Sequence, residues 1–257
     1  MPTLQETQWL LTEKYAGIET PAYLDDLARL AEGEPLAYLI GHAPFLSTTV
    51  HLDSRPLIPR PESEYWTLHA IEEMRARHTH LRVLDLCAGS GAIGVAVLAA
   101  LPNVLVDFVE IDAAHHDTID TNIRTNSVDP ARARIFGGDL FSDIPGDTRY
   151  DFILSNPPYI DPTLAERVEA SVALHEPHRA LFGGEGGMEI IKRILQEAPA
   201  YLTEPGVLYL EHEPEQRAQI HPLAATSGYL SSETHSDQYG VERFTRLSVS
   251  PVLPRSK

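Results

Sequence analysis

The sequence has a single cysteine, Cys87, among its 257 residues, so no disulfide can close within the chain and a reducing compartment is expected. Positive charge is also scarce. Lysine occurs only at Lys14, Lys192 and Lys257, the other 17 cations are arginine, and 37 acids against 20 bases give a formal charge of −17. A non-specific grip on a nucleic-acid backbone depends on Lys and Arg displacing counterions, so that partner class is disfavoured. No run approaches the ~18 apolar residues of a spanning helix, and Met1-Pro2-Thr3-Leu4-Gln5-Glu6 has neither the basic nor the apolar region of a signal peptide. A cytoplasmic protein with no membrane partner is expected. Internal repeats and low-complexity segments are missing too. What remains, 43% hydrophobic and 22% charged residues, suits one large α/β domain plus a small appendage.

Leu4 to Tyr15 and Tyr23 to Ala31 carry short amphipathic patterns split by Gly17 and Pro21. They predict a helical appendage over residues 1–34 with little core of its own. Residues 35–79 are read as a linker of hairpin and helix: from Pro35 to Pro59 Gly and Pro recur and β-branched residues cluster at Thr48-Thr49-Val50, predicting a hairpin or extended stretch. Pro59-Arg60-Pro61-Glu62-Ser63-Glu64 then opens a helix to about His78, its acids suited to the positive end of the helix dipole. The pattern becomes regular over residues 80–257. Strands at 82–86, 104–109, 134–136 and 151–154 alternate with helices at 91–101 and 113–126. A helix near 187–201, a strand at 206–210, a helix from about Pro214 and a strand pair around Gln238-Tyr239-Gly240 follow. This alternation predicts a mostly parallel sheet with helices on both faces, with ligands at the carboxyl ends of its strands.

The first of these strands runs through Asp85-Leu86-Cys87-Ala88-Gly89-Ser90-Gly91-Ala92-Ile93-Gly94 straight into a helix, so backbone N–H groups at the helix start face a ligand at the strand tip. Gly89, Gly91 and Gly94 match G-x-G-x-x-G, and Glu110 ends the next strand where a ribose-binding acid belongs; alone, that reads as a nicotinamide dinucleotide site. Asp85 argues otherwise. A carboxylate a few ångströms from a pyrophosphate would cost on the order of several kcal/mol at an effective dielectric near ~20, whereas the ammonium group of S-adenosylmethionine would be attracted. The methyl donor fits better. Glu110 then offers two acceptor oxygens to the ribose hydroxyls, and Gly138-Asp139-Leu140-Phe141 offers an acid to the adenine amino group, with Leu140 or Phe141 against the ring. On the plainer reading Asp139 is a turn residue and Glu110 and Asp112 cap helices; acids at three successive strand ends favour a ligand.

The fourth strand delivers Asn156-Pro157-Pro158-Tyr159 at its carboxyl end, the most specific signal in the chain. Two consecutive prolines fix φ and supply no N–H, leaving the carbonyls of Asn156 and Pro157 to accept from a ligand. An amide or aromatic amine has two N–H groups and a weakly nucleophilic nitrogen. With one N–H on the Asn156 side-chain oxygen and one on the Pro157 carbonyl, the nitrogen faces the methyl sulfonium and Tyr159 can stack on the planar group. Alignment is then the main contribution, with no strong general base in the methyl-transfer step.

At these residues the sequence resembles the PrmC/HemK family of protein-glutamine N5-methyltransferases, from about Gly33 to Ser248. Gly33-Glu34-Pro35-Leu36-Ala37-Tyr38-Leu39-Ile40-Gly41 is similar to the start of the family's linker, and Leu57-Ile58-Pro59-Arg60-Pro61-Glu62-Ser63-Glu64 to its L-I-P-R-P-E-T-E signature. Glu176-Pro177, Ala180-Leu181-Phe182-Gly183-Gly184 and Gly187-Met188 resemble the stretch after the catalytic loop, and Asp237 to Arg246 the closing D-x-x-G-x-x-R hairpin. The resemblance implies a class I (Rossmann-like) S-adenosylmethionine-dependent methyltransferase fold: α/β, with a mostly parallel seven-stranded sheet and a short N-terminal helical domain. It implies methylation of the Gly-Gly-Gln glutamine of a class-1 peptide chain release factor, by a protein expected to be a monomer. Cys87, Ala88, Gly89, Ser90 and Gly91 would form the methyl-donor loop, Glu110 would hold the ribose and Leu140 would lie near the adenine. Asn156, Pro157, Pro158 and Tyr159 would take the substrate glutamine, with Asn156 also at the donor. The family usually has Gly at the position of Cys87, so the turn there must tolerate a Cβ. Its helical domain is longer than residues 1–34, which are read as a shortened docking segment.

Glu211-His212-Glu213 and His175-Glu176-Pro177-His178 hold metal-ligating residue types, but adjacent strand residues point to opposite faces and the second set lies in a Pro-containing loop; no metal is expected. His115 and His116 are read as solvated, and Cys87 as loop packing, although a helix start can lower a thiol pKa and make it reactive. Two other functions compete. An adenine-N6 or other amino-methyltransferase acting on nucleic acid suits the same tetrapeptide, but has to flip a base and hold a backbone against the charge of −17. A non-catalytic scaffold for a ribosome-associated partner has no need of an amine-orienting turn.

Overall fold

The computed structural model describes residues 2–77 and 80–249; His78, where the sequence places a helix end, and residues 250–257 of the expected large domain lie outside them. Thr3 accepts from the Glu6 N–H and starts α1 (Leu4–Trp9), which continues as a π-helical turn over Leu10–Lys14. Pro21 is no separator: it opens α2 (Pro21–Ala31) behind the Thr20 N-cap, where its missing N–H costs nothing. Leu10, Tyr23, Leu30 and Leu39 form a small core of their own. The linker folds into α3 (Leu36–Ile40) and a hairpin of β1 (His42–Phe45) and β2 (Thr48–His51), before α4 (Pro61–Ala76).

Seven strands make the main sheet: β3 (Leu81–Leu86), β4 (Val104–Glu110), β5 (Ala133–Gly137), β6 (Tyr150–Ser155), β7 (Leu202–Glu211), β8 (Ser231–Ser236) and β9 (Glu242–Ser248). Their spatial order is β5-β4-β3-β6-β7-β9-β8, parallel throughout except that β9 runs antiparallel to both neighbours. The mostly parallel α/β sheet expected from the sequence is therefore what forms. Between the strands lie α5 (Ala92–Ala100), α6 (His116–Thr125), α7 (Ala170–His175), α8 (His178–Leu181), α9 (Glu189–Glu197) and α10 (Arg217–Thr226).

Alternation along each strand builds two cores, one per sheet face. Val83, Phe152 and Leu154 join Trp66, Val95 and Ile119 on one side, while Leu84, Ile153 and Leu208 join Ile191, Ile194 and Ile220 on the other. The order of strand addition reverses between the parallel neighbours β3 and β6: the strands after β3 extend one way and those after β6 the other. That switch point opens a crevice outside the strand carboxyl ends, into which the glycine loop after β3 and Asn156 after β6 both project.

Candidate active site

A cavity of about 350 Å³ occupies this crevice. Its floor is the loop after β3, where Cys87 (φ +64), Gly89 (φ +56) and Gly91 (φ +77) all adopt left-handed backbone. Glycine enters such conformations at no steric cost, and Cys87 has to bear it with a Cβ. Cys87, Ala88, Gly89, Ser90, Glu110, Asp139, Leu140, Asn156 and Pro158 line the cavity. Gly91 instead forms the N-cap of α5, and Gly94 brings that helix against Phe108 so closely that a Cβ would strike the ring.

Asp85 sits differently from expectation. It does not line the cavity: fully buried on the Val83 face of β3, it accepts from the Gly94 N–H at 2.8 Å, and its Oδ1 is buried without a partner. Burial pushes its carboxyl up to about 8, with the Glu110 charge adding to the rise against the Gly94 hydrogen bond. Its side chain is thus placed behind the loop, toward α5, and not in the cavity lining where the sequence reading set it. An acid with a folded-state value near 8 and an unfolded value near ~3.9 contributes a penalty that is absent below about pH 4 and grows until about pH 8. Asp85→Asn should thus gain stability relative to the parent as pH rises through that window. Urea unfolding near pH 5 and near pH 8.5 measures it, and an unchanging difference between the two proteins would refute the assignment.

Glu110 is the strand-end carboxylate that lines the cavity. Its Oε2 accepts from the Gly89 N–H and its Oε1 from the Asp112 N–H, both at 2.8 Å. Both oxygens keep a lone pair for hydroxyls in the cavity. Asp112 caps the Ala114 N–H, as the plainer reading has it. Asp139 lies at the rim and pairs with Arg193 at 2.8 Å, a partner the sequence did not indicate. Leu140 faces the cavity, while Phe141 does not: it is buried against Tyr201, ring centroids 4.6 Å apart. Ile111, directly after the strand-end acid, adds a second apolar side chain to the lining.

Two further expectations are corrected. His115 is buried, its Nδ1 2.8 Å from Ser54 Oγ, and His116 Nε2 lies 2.9 Å from the Glu110 carbonyl, so neither is simply solvated. The Cys87 thiol is pushed above its ordinary value by burial and by the Glu110 charge, the direction that accords with loop packing rather than a reactive thiol.

Beyond Asn156 lies a smaller cavity of about 90 Å³, lined by Leu57, Arg60, Asn156, Pro157, Tyr159 and Leu181 among others. Asn156 belongs to both cavities. Its Nδ2 donates to Ser63 Oγ at 3.1 Å. Among the described residues neither its Oδ1 nor the Pro157 carbonyl accepts a hydrogen bond, so two acceptors are free on residues of the smaller cavity, one of which, Asn156, also lines the larger. The Tyr159 hydroxyl donates to Glu211 at 3.0 Å, and the Tyr159 carbonyl accepts from Gln216 at 2.7 Å. Gly187 (φ +66) packs on that same carbonyl, where a Cβ would overlap it. The outer wall comes from the linker: Glu176, buried, accepts from the Ile58 N–H at 3.1 Å and from Arg60 at 2.6 Å. Of the candidate residues from the sequence, Asp85, Gly91, Gly94 and Phe141 lie outside the linings of these two cavities and the rest belong to them. Sequence reasoning missed Ser63, Ile111, Glu176, Arg193 and Glu211.

The small-domain methyltransferase family model matches residues 68–181. The release factor glutamine methyltransferase of Rhodopirellula baltica is 33% identical over 230 residues, covering 88% of this chain and 77% of that protein. That of Bordetella pertussis is 32% identical over 240 residues, covering 92% and 87%. Among solved structures, the T. thermophilus 16S rRNA N2 G1207 methyltransferase, in complex with AdoMet and guanosine, superposes with a TM-score of 0.57 at 20% identity, over 80% of this chain and 49% of that one. That likeness is one of fold.

Proposed function

Because the chain belongs to the release factor glutamine methyltransferase family, we propose that it methylates the side-chain amide nitrogen of the Gly-Gly-Gln glutamine in class-1 peptide chain release factors, with S-adenosylmethionine as donor. The observation that carries this reading is the pair of free acceptors, Asn156 Oδ1 and the Pro157 carbonyl, on residues of the smaller cavity, of which Asn156 also lines the larger. A primary amide presents two N–H groups and matches that pair.

The residues present fit the donor. Glu110 offers charged acceptors to vicinal hydroxyls, Ile111 and Leu140 give apolar surface for a purine, and the loop after β3 lets the backbone approach closely. When bound, the donor supplies an electrophilic methyl on a sulfonium: the amide nitrogen forms the new C–N bond, the C–S pair returns to sulfur, and one amide proton leaves to solvent. The chain's own contribution is alignment. Asn156 and Pro157 hold the amide so that its nitrogen faces the larger cavity, Tyr159 walls the slot, and no group is needed to ionise the amide beforehand.

In this reading residues 2–34 form the docking element. Leu4, Trp9 and Leu24 are exposed there at 88%, 48% and 57%, apolar side chains available to a protein partner. We place the protein in the cytoplasm on its single cysteine and on the site of translation. The charge of −17 weighs against a nucleic-acid substrate; among the described residues no helix is long and apolar enough to cross a membrane.

The test is incubation of purified protein with a release factor and methyl-labelled donor, followed by mass spectrometry of the Gly-Gly-Gln peptide. One added methyl on the glutamine is expected, and none when that Gln is replaced. Equal labelling of both factors, or labelling of DNA or RNA only, would sink the reading.

A further inference from the structure

We propose that Glu211 and Ser63 are positioning residues that fix which way the Asn156 amide faces, and so decide whether the site presents an oxygen or an NH₂ group to the substrate. Glu211, at the end of β7, is almost fully buried. Its Oε2 accepts from Ser63 Oγ and from Trp66 Nε1, both at 2.6 Å, and its Oε1 from the Tyr159 hydroxyl at 3.0 Å. The indole N–H can only donate, so Oε2 is held as an acceptor from one side and the Ser63 proton is drawn to it from the other.

A serine hydroxyl has one proton. With that proton committed to Glu211, Ser63 Oγ can only accept from Asn156, which it does at 3.1 Å from Nδ2. An asparagine amide has donor and acceptor at nearly the same positions, related by a rotation of its terminal torsion. Once Nδ2 is turned to Ser63, Oδ1 has to face the cavity. The reverse rotamer would set Oδ1 against a hydroxyl with no proton left to give, and NH₂ against the donor groups of an amide. The buried carboxylate thereby selects one of two rotamers a few bonds away, and the same carboxylate holds Tyr159 on the other side of the slot.

The catalytic half of this inference rests on the glutamine reading above; the orientation half does not. The experiment therefore has two arms. In the first, side-chain amide exchange of ¹⁵N-labelled protein is followed by NMR: the Asn156 Nδ2 protons should be protected in the parent and exchange at least about tenfold faster in Ser63→Ala, which removes the acceptor. Ser63→Thr keeps a hydroxyl and should restore protection. In the second arm kcat, KM for the release factor and Kd for the methyl donor are compared. Ser63→Ala should lower kcat about tenfold with donor Kd unchanged, and Ser63→Thr should recover most of the loss. Glu211→Gln keeps an oxygen for Trp66 and Ser63 while turning its NH₂ toward the Tyr159 oxygen, so it should be milder than Glu211→Leu. The double variant Ser63→Ala/Glu211→Leu should be no slower than its worse parent, as expected for residues acting in one chain.

Unchanged exchange in Ser63→Ala overturns the proposal whatever the substrate proves to be. So does a Ser63→Ala enzyme that loses donor affinity in step with kcat, which would mark general collapse of the site. If the parent shows protection but methylates no release factor, it is the glutamine reading that fails, and the relay stands.

Discussion

Asn156→Ala is expected to lower kcat by about 100- to 1000-fold while leaving methyl-donor affinity within about tenfold. The reasoning is geometric. Asn156 Oδ1 is a free acceptor on a residue that lines both cavities, and a primary amide held at one point can pivot its nitrogen away from the line of attack. Misplacement of a reacting atom by about 1 Å can cost roughly 100-fold, because alignment is the main catalytic device of such a site. The floor for the donor is supplied by other residues, Gly89 and Glu110 in particular, so its binding should survive. Initial rates at saturating donor, with calorimetry for affinity, separate the two. Normal turnover accompanied by a large loss of donor affinity would move Asn156 from the acceptor side of the reaction to the donor side.

The second large effect belongs to Glu110. Replacement by alanine should weaken methyl-donor binding by about 100-fold or more, since charge-assisted hydrogen bonds contribute roughly 1.5–3 kcal/mol each and two ribose hydroxyls are available to make them. The same change frees the Gly89 and Asp112 N–H groups that the carboxylate holds at 2.8 Å, loosening the floor of the cavity as well. Glu110→Gln should be nearly as damaging. Both carboxylate oxygens accept an N–H in the structure, and a carboxamide has only one oxygen, so its NH₂ is forced against a backbone donor. Calorimetric titration with donor or its demethylated product reads both variants. An unaffected Kd in Glu110→Ala would remove the ribose assignment.

These two residues were legible in the sequence because the information that places them is local. Glycines at Gly89 and Gly91, an acid closing the following strand, and a proline pair after a strand each specify a backbone conformation within a few residues, and strand carboxyl ends all face one crevice in a parallel sheet. Asp85 shows where local reading fails and how it could have been corrected. It shares the Val83 face of β3 by simple alternation, and that face carries the core beneath α5, so period two already turned its side chain away from the ligand. His115 had no such signal: the serine it meets is 61 residues away. Ser63, Glu176 and Glu211 were unreadable for the same reason. The opposite facing of Glu211 and His212 was correctly anticipated from strand geometry, but which partner waited on the Glu211 side depends on α4 crossing the end of β7, a matter of topology. Cys87 is intermediate. The sequence led to a turn that a Cβ tolerates, whereas the residue adopts the left-handed backbone natural to glycine, and the environment that raises its thiol had no local signal.

The distances along the chain between interacting groups differ sharply across the site. Gly89 and Glu110, which shape the donor pocket, are 21 residues apart, whereas Ile58 and Glu176 are 118 apart and Ser63 and Glu211 are 148 apart. Polypeptides emerge from the amino end and fold as their partners become available. The Gly89–Glu110 contact can therefore close once β4 has been made, whereas Glu211, which holds Ser63 and Tyr159, arrives only with the end of β7. The lining of the larger cavity itself runs from Phe45 to Arg193, so both sides of the crevice are completed together, late in synthesis.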